Sequence, residues 1–174
     1  MKKTILFLKL LLLIWTTKSI AQTNLKQYRA GHAFDIGLPD YLSKTSGLNS
    51  SAAIQYQNKV KEIYGFVIFD TKEELELAEM KYTSINEFYE DFMKDFLKDE
   101  KSAVSKPVFQ KIGDINFVEC DVVFTNEEEK TEIYYLVGIV ETKNSFYKVL
   151  TWTAAEDKNK YKDDFKKIVY SLKD

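Results

Sequence analysis

The chain has 174 residues, of which 45% are hydrophobic and 14% aromatic, and its formal net charge is −2. Two prolines and six glycines leave little material for flexible linkers, which argues against disorder beyond the ends. A net negative charge without a lysine or arginine cluster argues against binding to nucleic acid or to an anionic lipid surface.

The first 21 residues have the pattern of a cleavable signal peptide. Two lysines precede a mostly apolar run over residues 5–15, and Ser-Ile-Ala at 19–21 supplies a cleavage site of small residues. The run is shorter than the roughly twenty residues that a bilayer-spanning helix needs. We therefore expect export to the periplasm or the outside of the cell with Gln22 as the new N-terminus, and a retained N-terminal helix is the alternative. A lipid anchor at this N-terminus would need a cysteine directly after the cleavage site. The single cysteine is Cys120, so we expect no such anchor.

Cleavage changes the charge of the chain and leaves material for one domain. It removes four lysines and no acid, so that 21 basic and 27 acidic residues remain and the net charge falls to about −6. The remaining length suits a single domain that buries roughly two-thirds of its unfolded surface. We predict this domain over residues 32–174, preceded by a loose polar lead-in over 22–31.

Three strands are predicted in the first half of the domain. Residues 33–38 alternate apolar with small or polar side chains and stop at Pro39, and residues 52–57 have a similar pattern. Residues 62–70 are apolar at nearly every position. The third strand is therefore expected in the centre of a sheet, with cover on both of its faces.

Two amphipathic helices are predicted, one in the middle of the chain and one at its end. The first spans residues 84–99, where Ser84 and Glu87 have the spacing of a capping box. The second spans residues 156–172. Each helix has one apolar stripe, which must be buried against the sheet.

Four further strands, separated by connections of hairpin length, are predicted between the two helices. They span residues 107–112, 115–124, 131–141 and 146–153, and Gly113-Asp114 forms the first tight turn. Together these elements predict an α+β fold, a three-layer α/β/α sandwich. Its central, mainly antiparallel sheet has about seven strands and is accompanied by two main helices.

Four short motifs accompany this order of elements. They are Phe-x-Ile-x-Leu-Pro at 34–39, Ala-Ile-Gln-Tyr at 53–56, Tyr-Gly-Phe-Val-Ile at 64–68 and Ser-Ile-Asn-Glu-Phe at 84–88. With the element order, they resemble the PsbP-like fold superfamily, which includes the extrinsic PsbP subunit of photosystem II, a Ran-binding import factor and DcrB-type periplasmic proteins. The resemblance implies a non-enzymatic domain that docks onto a larger assembly or maintains the envelope. It carries over no functional residue.

The sequence contains few groups suited to catalysis or metal binding. His32 is the only histidine, which argues against a zinc site, and we interpret it as a surface residue. Cys120 lies in a segment of alternating polarity, which indicates a buried structural thiol. The acidic run 127–129 is interpreted as a solvated turn, because it lacks the spaced oxygen ligands of a calcium loop. We therefore expect no cofactor and no metal.

Glu119 and Asp121 form a candidate acidic pair, because residues two apart on a strand point to the same side. One hypothesis makes them the acid and base of a hydrolase or lyase, which requires a concave site and at least one raised pKa. The alternative is a polar sheet margin, neutralised by Tyr135, Lys148 or another cross-strand partner.

The expected function is that of an exported, non-enzymatic binding or accessory protein that docks a protein partner in the cell envelope. Aromatic side chains are enriched in binding patches. The candidates for the partner surface are Tyr41, Tyr56, Tyr134, Tyr135 and Trp152. Complete burial of all five would refute this surface. A carrier with an apolar ligand cavity between sheet and helix is a further alternative.

Overall fold

The computed structural model describes residues 23–31, 33–98, 101–126 and 130–174. The predicted signal peptide with Gln22, the lone His32 and the acidic run 127–129 lie outside the described residues.

One mainly antiparallel sheet of eight strands forms the centre of the fold, close to the expected seven. Its order is β3-β4-β5-β10-β9-β8-β6, and β7 pairs with β8 alongside β6. The strands are β3 (Ser43–Thr45), β4 (Ile54–Asn58), β5 (Ile63–Thr71), β6 (Ser102–Val104), β7 (Val108–Ile112), β8 (Ile115–Asn126), β9 (Thr131–Glu141) and β10 (Ser145–Ala154). The predicted succession of four strands after the first long helix is present as β7 to β10, whereas the short β3 and β6 were not predicted.

A separate antiparallel hairpin precedes this sheet, formed by β1 (Leu25–Ala30) and β2 (Phe34–Pro39). The expectation of a loose lead-in over residues 22–31 was therefore wrong for β1, which pairs along its whole length with β2. The hairpin is also tied to the far end of the chain. The Asp35 amide donates to the Lys173 carbonyl at 2.7 Å, and the Lys173 amide donates back at 3.1 Å.

Three helices flank the sheet: α1 (Lys72–Leu77), α2 (Ile85–Phe96) and α3 (Lys158–Tyr170), the last preceded by a 3-10 turn over Ala155–Asp157. The two long ones are the predicted pair. Ser84 caps α2 by accepting a bond from the Glu87 amide.

The carboxylate of Glu87 reaches one residue further back than a capping box requires. It accepts from the Thr83 amide at 2.7 Å instead of the Ser84 amide. The full reciprocal capping box instead opens α1, between Thr71 and Glu74. The sequence does not predict this box, because residues 71–80 have no apolar periodicity that would indicate a helix.

The sheet has a core on each face, which confirms the predicted sandwich. On one face, α3 and the β1–β2 hairpin enclose the larger core, and Phe34, Ile36 and Phe165 are fully buried there. On the other face, α2 encloses a smaller core around Phe88, Val118 and Ile139.

The two faces of β5 differ in their cover, contrary to the expectation for the third strand. Ile63 and Val67 point into the larger core and are fully buried. Tyr64, Phe66 and Ile68 point to the opposite face and are only partly buried. On that side α2 packs on β8 and β9, and α1 contacts β5, the strand that it directly follows, so that the sheet face around these three side chains is left partly open.

Candidate functional site

The acidic pair is buried against the C-terminal helix. Glu119 and Asp121 face the same side of β8, as predicted, and their exposed fractions are only 2% and 8%. Above them, α3 carries Lys158, Lys162 and Lys166 at intervals of four residues, so that the three side chains lie on one face of the helix. The lysines thus lie against the carboxylates.

Asp121 has the richest set of partners in this cluster. Its Oδ2 is 2.6 Å from Lys162 Nζ and 3.0 Å from Lys158 Nζ, and its Oδ1 accepts a bond from the Tyr134 hydroxyl at 2.9 Å. Burial raises the pKa of the Asp121 carboxyl, but the bonds from Lys162, Lys158 and Tyr134 together lower it further, so the net pKa falls below its ordinary value. Asp121 is therefore held as a carboxylate.

Glu119 has one strong partner and one unpaired oxygen. Its Oε1 pairs with Lys166, whereas its buried Oε2 has no hydrogen-bond partner within the described residues. The hydrogen bond that Lys166 donates to the Glu119 carboxylate raises the pKa of Lys166. The lysine is thus kept charged, and the pair fixes the last turns of α3 on β8.

Two features of this geometry differ from what the hydrolase or lyase hypothesis predicts. Neither carboxylate lines the surface cavities of 210–650 Å³ that are found at four places on the described part of the chain. The pKa of Asp121 is lowered rather than raised. The neutralising groups also differ from those expected, because Lys148 pairs with Asp70 and Tyr135 lies on the other face of the sheet. Sequence reasoning did not pair Glu119 and Asp121 with the three lysines of α3, because these lysines lie about forty residues later in the chain.

The five candidate aromatics fall into two groups. Tyr56 and Tyr134 are fully buried, so the prediction that they belong to a partner surface was wrong. Tyr56 bonds to Thr151 across the sheet, and burial raises the pKa of its hydroxyl. Tyr41, Tyr135 and Trp152 are partly exposed. Of these, Tyr41 is held by Asp164 at 2.9 Å, beside α3.

Tyr135 and Trp152 instead belong to an aromatic cluster on the open half of the sheet. Trp152 on β10 lies directly between Tyr64 on β5 and Tyr135 on β9 in the strand register. The Trp152 ring stacks at 5.8 Å on Tyr64 and at 5.4 Å on Tyr135, and Phe66 meets it edge-on at 5.7 Å.

We call Tyr64, Phe66, Ile68, Tyr135 and Trp152 the aromatic face. All five are partly exposed, and only Tyr135 packs against either buried core. Sequence reasoning missed Tyr64 and Phe66, because a strand that is apolar at every position does not show which of its faces remains open.

No helix in the described part of the chain is both long and apolar enough to cross a membrane. The thiol of Cys120 is buried, as expected, and burial raises its pKa. Within the described residues, no group of three potential metal ligands comes together.

No protein-family model matches the sequence, and no curated protein matches it either. Solved structures do match. The cyanobacterial PsbP of Synechocystis sp. PCC 6803 has a TM-score of 0.62 at 12% identity, over 89% of this chain and 95% of that one. LpqN of Mycobacterium tuberculosis, described as involved in cell envelope biogenesis, has a TM-score of 0.54 at 9% identity, over 87% and 90%.

The fold is PsbP-like. A structure from Bacteroides thetaiotaomicron with a TM-score of 0.56 at 12% identity matches 85% of this chain and 47% of its own length. At these identities the likeness shows the fold alone, so the function must be argued from this chain's own surface.

Proposed function

We propose that this chain is an exported accessory protein of the cell envelope that docks a protein partner through its aromatic face. The observation that carries the proposal is that Tyr64, Phe66, Ile68 and Trp152 are partly exposed and belong to neither core. A contiguous apolar patch of this kind on a folded domain marks an interaction surface.

The chemistry of the aromatic face favours a protein partner with an apolar surface of its own. Tryptophan and tyrosine are enriched among the residues that dominate interface energies, because they bury a large area with few rotatable bonds. Two charges next to this face already neutralise one another, since Lys148 Nζ lies 2.7 Å from Asp70 Oδ2. Shape and apolar contact, rather than net charge, are therefore expected to select the partner.

The structural neighbours support an accessory role in the envelope. One is the PsbP protein of a cyanobacterium, and the other is described as involved in cell envelope biogenesis. Export itself rests on the sequence pattern of residues 1–21. Intact-mass measurement on the protein isolated from its native host tests this part. We expect the mature chain to begin at Gln22, and a chain that retains Met1 would contradict export by cleavage.

Docking is tested by photo-crosslinking in intact cells. A photoreactive amino acid replaces Phe66, and in a matched control it replaces Glu90, which is exposed on the outer side of α2. We expect one discrete crosslinked protein from position 66 and none from position 90. The crosslink should disappear when Trp152→Ala is added in a variant whose fold is verified by circular dichroism. Equal crosslinking from both positions, or none from position 66, would contradict the proposal.

A further inference from the structure

A second surface, away from the aromatic face, lies along the free edge of the sheet. β7 pairs with β8 on one side only, and every residue of β7 is exposed. Eight large hydrophobic side chains are exposed in the described part of the chain, and four of them lie on β6 and β7: Val104, Val108, Phe109 and Ile112. An edge with these properties is a template for pairing with another strand.

The hairpin turn determines which backbone groups of this edge remain unpaired. Gly113 and Asp114 form a two-residue loop between β7 and β8, and Gly113 has a φ of +59°. The pair that closes such a loop, Ile112 with Ile115, is hydrogen-bonded, and bonded pairs then alternate along the ladder. The N–H and C=O groups of Phe109 and Lys111 therefore point away from β8.

We propose that β7 pairs antiparallel with β7 of a second copy of this chain, around a two-fold axis at Gln110. In this register the outward groups of Phe109 meet those of Lys111 in the second copy, which forms four backbone hydrogen bonds across the axis. The facing pairs are Gln110 with Gln110, Phe109 with Lys111, Val108 with Ile112, Pro107 with Gly113 and Lys106 with Asp114.

The side chains in this register are complementary. Val108 and Ile112, each about half exposed, cover one another on one side of the sheet. On the other side, the Lys111 ammonium faces the Phe109 ring, a favourable contact between a cation and an aromatic face. Lys106 and Asp114 are both exposed and make no ion pair within the described residues, so that each end of the ladder gains one pair of opposite charges.

The neighbouring symmetric registers bring less favourable residues opposite one another. An axis at Lys111 would place this lysine opposite its own copy, and like charges directly opposite are destabilising. An axis at Phe109 would leave the Lys111 carbonyl opposite Pro107, which has no N–H to donate, and would face the apolar Ile112 with Lys106. In the register at Gln110, Pro107 lies at the end of the ladder instead, opposite the turn residue Gly113. The like charges of the first alternative and the mismatched side chains of the second therefore favour the register at Gln110.

The size of the interface sets the expected affinity. A ladder of five to nine residues buries less than the roughly 1,200 Å² that characterises stable complexes, so we expect a weak dimer with Kd between about 1 µM and 1 mM. This inference goes beyond the proposed function and does not depend on it, because β7 lies outside the aromatic face.

Sedimentation equilibrium of the purified protein from 10 µM to about 1 mM tests the inference, with charge-swap variants as the decisive comparison. Lys106→Asp and Asp114→Lys each place like charges at both ends of the ladder, so each should weaken the dimer at least about 5-fold. The double swap restores opposite charges and should return Kd to within about 2-fold of the starting protein. Glu73→Lys, which makes the same charge change as Asp114→Lys on exposed α1, is the control and should have no effect.

Lys111→Pro tests the backbone bonds. It removes only an outward N–H, a position at which proline is tolerated on an edge strand, and should abolish the dimer without unfolding the chain. A chain that is monomeric at about 1 mM would overturn the inference, because it falls outside the expected affinity range. A dimer that tolerates both single charge swaps would also overturn it, since its interface would lie elsewhere.

Discussion

The two faces of the central sheet differ in how completely they are covered. The face beneath α3 is closed by a helix and a hairpin, and it buries three lysine–carboxylate contacts together with fully covered aromatic rings. The face beneath α2 is closed over β8, β9 and the start of β10, where Phe146 stacks on Phe88 at 4.4 Å, and its remaining part carries the partly exposed aromatic face. One sheet thus has a closed, ion-paired side and, on the other side, the partly exposed surface that we propose for docking.

The largest loss of folding stability is expected when a large side chain is removed from the core beneath α3. Phe165 is fully buried and stacks on Tyr134, so Phe165→Ala should lower the free energy of unfolding by about 3–5 kcal/mol. Phe66→Ala removes the same group from the aromatic face and should cost less than half as much, because this ring is partly hydrated in the folded state. Urea denaturation of both variants measures the difference. Equal losses would show that the two faces are packed alike.

The second-largest loss of stability is expected when the ion pairs of Asp121 are broken. Asp121→Asn keeps the shape of the side chain but leaves Lys158 and Lys162 facing a neutral group. Breaking a buried ion pair costs about 3–5 kcal/mol, and the partial exposure of both lysines should reduce this loss to about 2 kcal/mol. Asp70→Asn, which breaks the more exposed pair with Lys148 on the other face, is the control and should cost less than about 1 kcal/mol.

The close approach of α3 to β9 gives a third, slightly smaller effect. A methyl group on Gly138 would lie 2.6 Å from the nearest carbon of Val169, so Gly138→Ala should push the helix away and cost about 1–2 kcal/mol. Val169→Ala makes room for that methyl group. The double variant should therefore lose less stability than the two single losses added together, and strict additivity would contradict this contact.

The smallest effect is a change in acid sensitivity. Because the pKa of Asp121 is lower in the folded chain than the unfolded value of about 3.9, its charge contributes stability above that value, and the contribution is lost as the pH falls through the folded pKa. Stability measured from pH 5 down to about pH 2 should therefore fall less steeply in Asp121→Asn than in the unchanged protein. Parallel curves would contradict the role of this carboxylate.

Local patterns predicted most of the fold. The alternation of β2, the two-residue loop at Gly113 and the apolar stripes of α2 and α3 each determine an element from a few neighbouring residues. β1 was missed because residues 25–30 do not alternate apolar with polar side chains. They form a strand by pairing with β2. The strands β3 and β6 have three residues each, too few to show a period.

The candidate sites depended on contacts between distant residues, and the sequence predicted them less well. It correctly placed Glu119 and Asp121 on one side of a strand, but their lysine partners lie on a helix about forty residues later. It proposed Tyr134 and Tyr135 together, although adjacent strand residues point to opposite faces. Which of two alternating faces remains open depends on where α2 ends, and no local pattern contains that information.

The backbone bridge between Asp35 and Lys173 affects the order in which parts of the protein fold. The Gly37 amide likewise bonds to the Ser171 hydroxyl, 134 positions later, so the first hairpin cannot be covered until α3 has left the ribosome. Contacts between such distant segments form slowly. The first hairpin is therefore the last part of the fold to be completed, and such delayed closure would be compatible with the export that we propose.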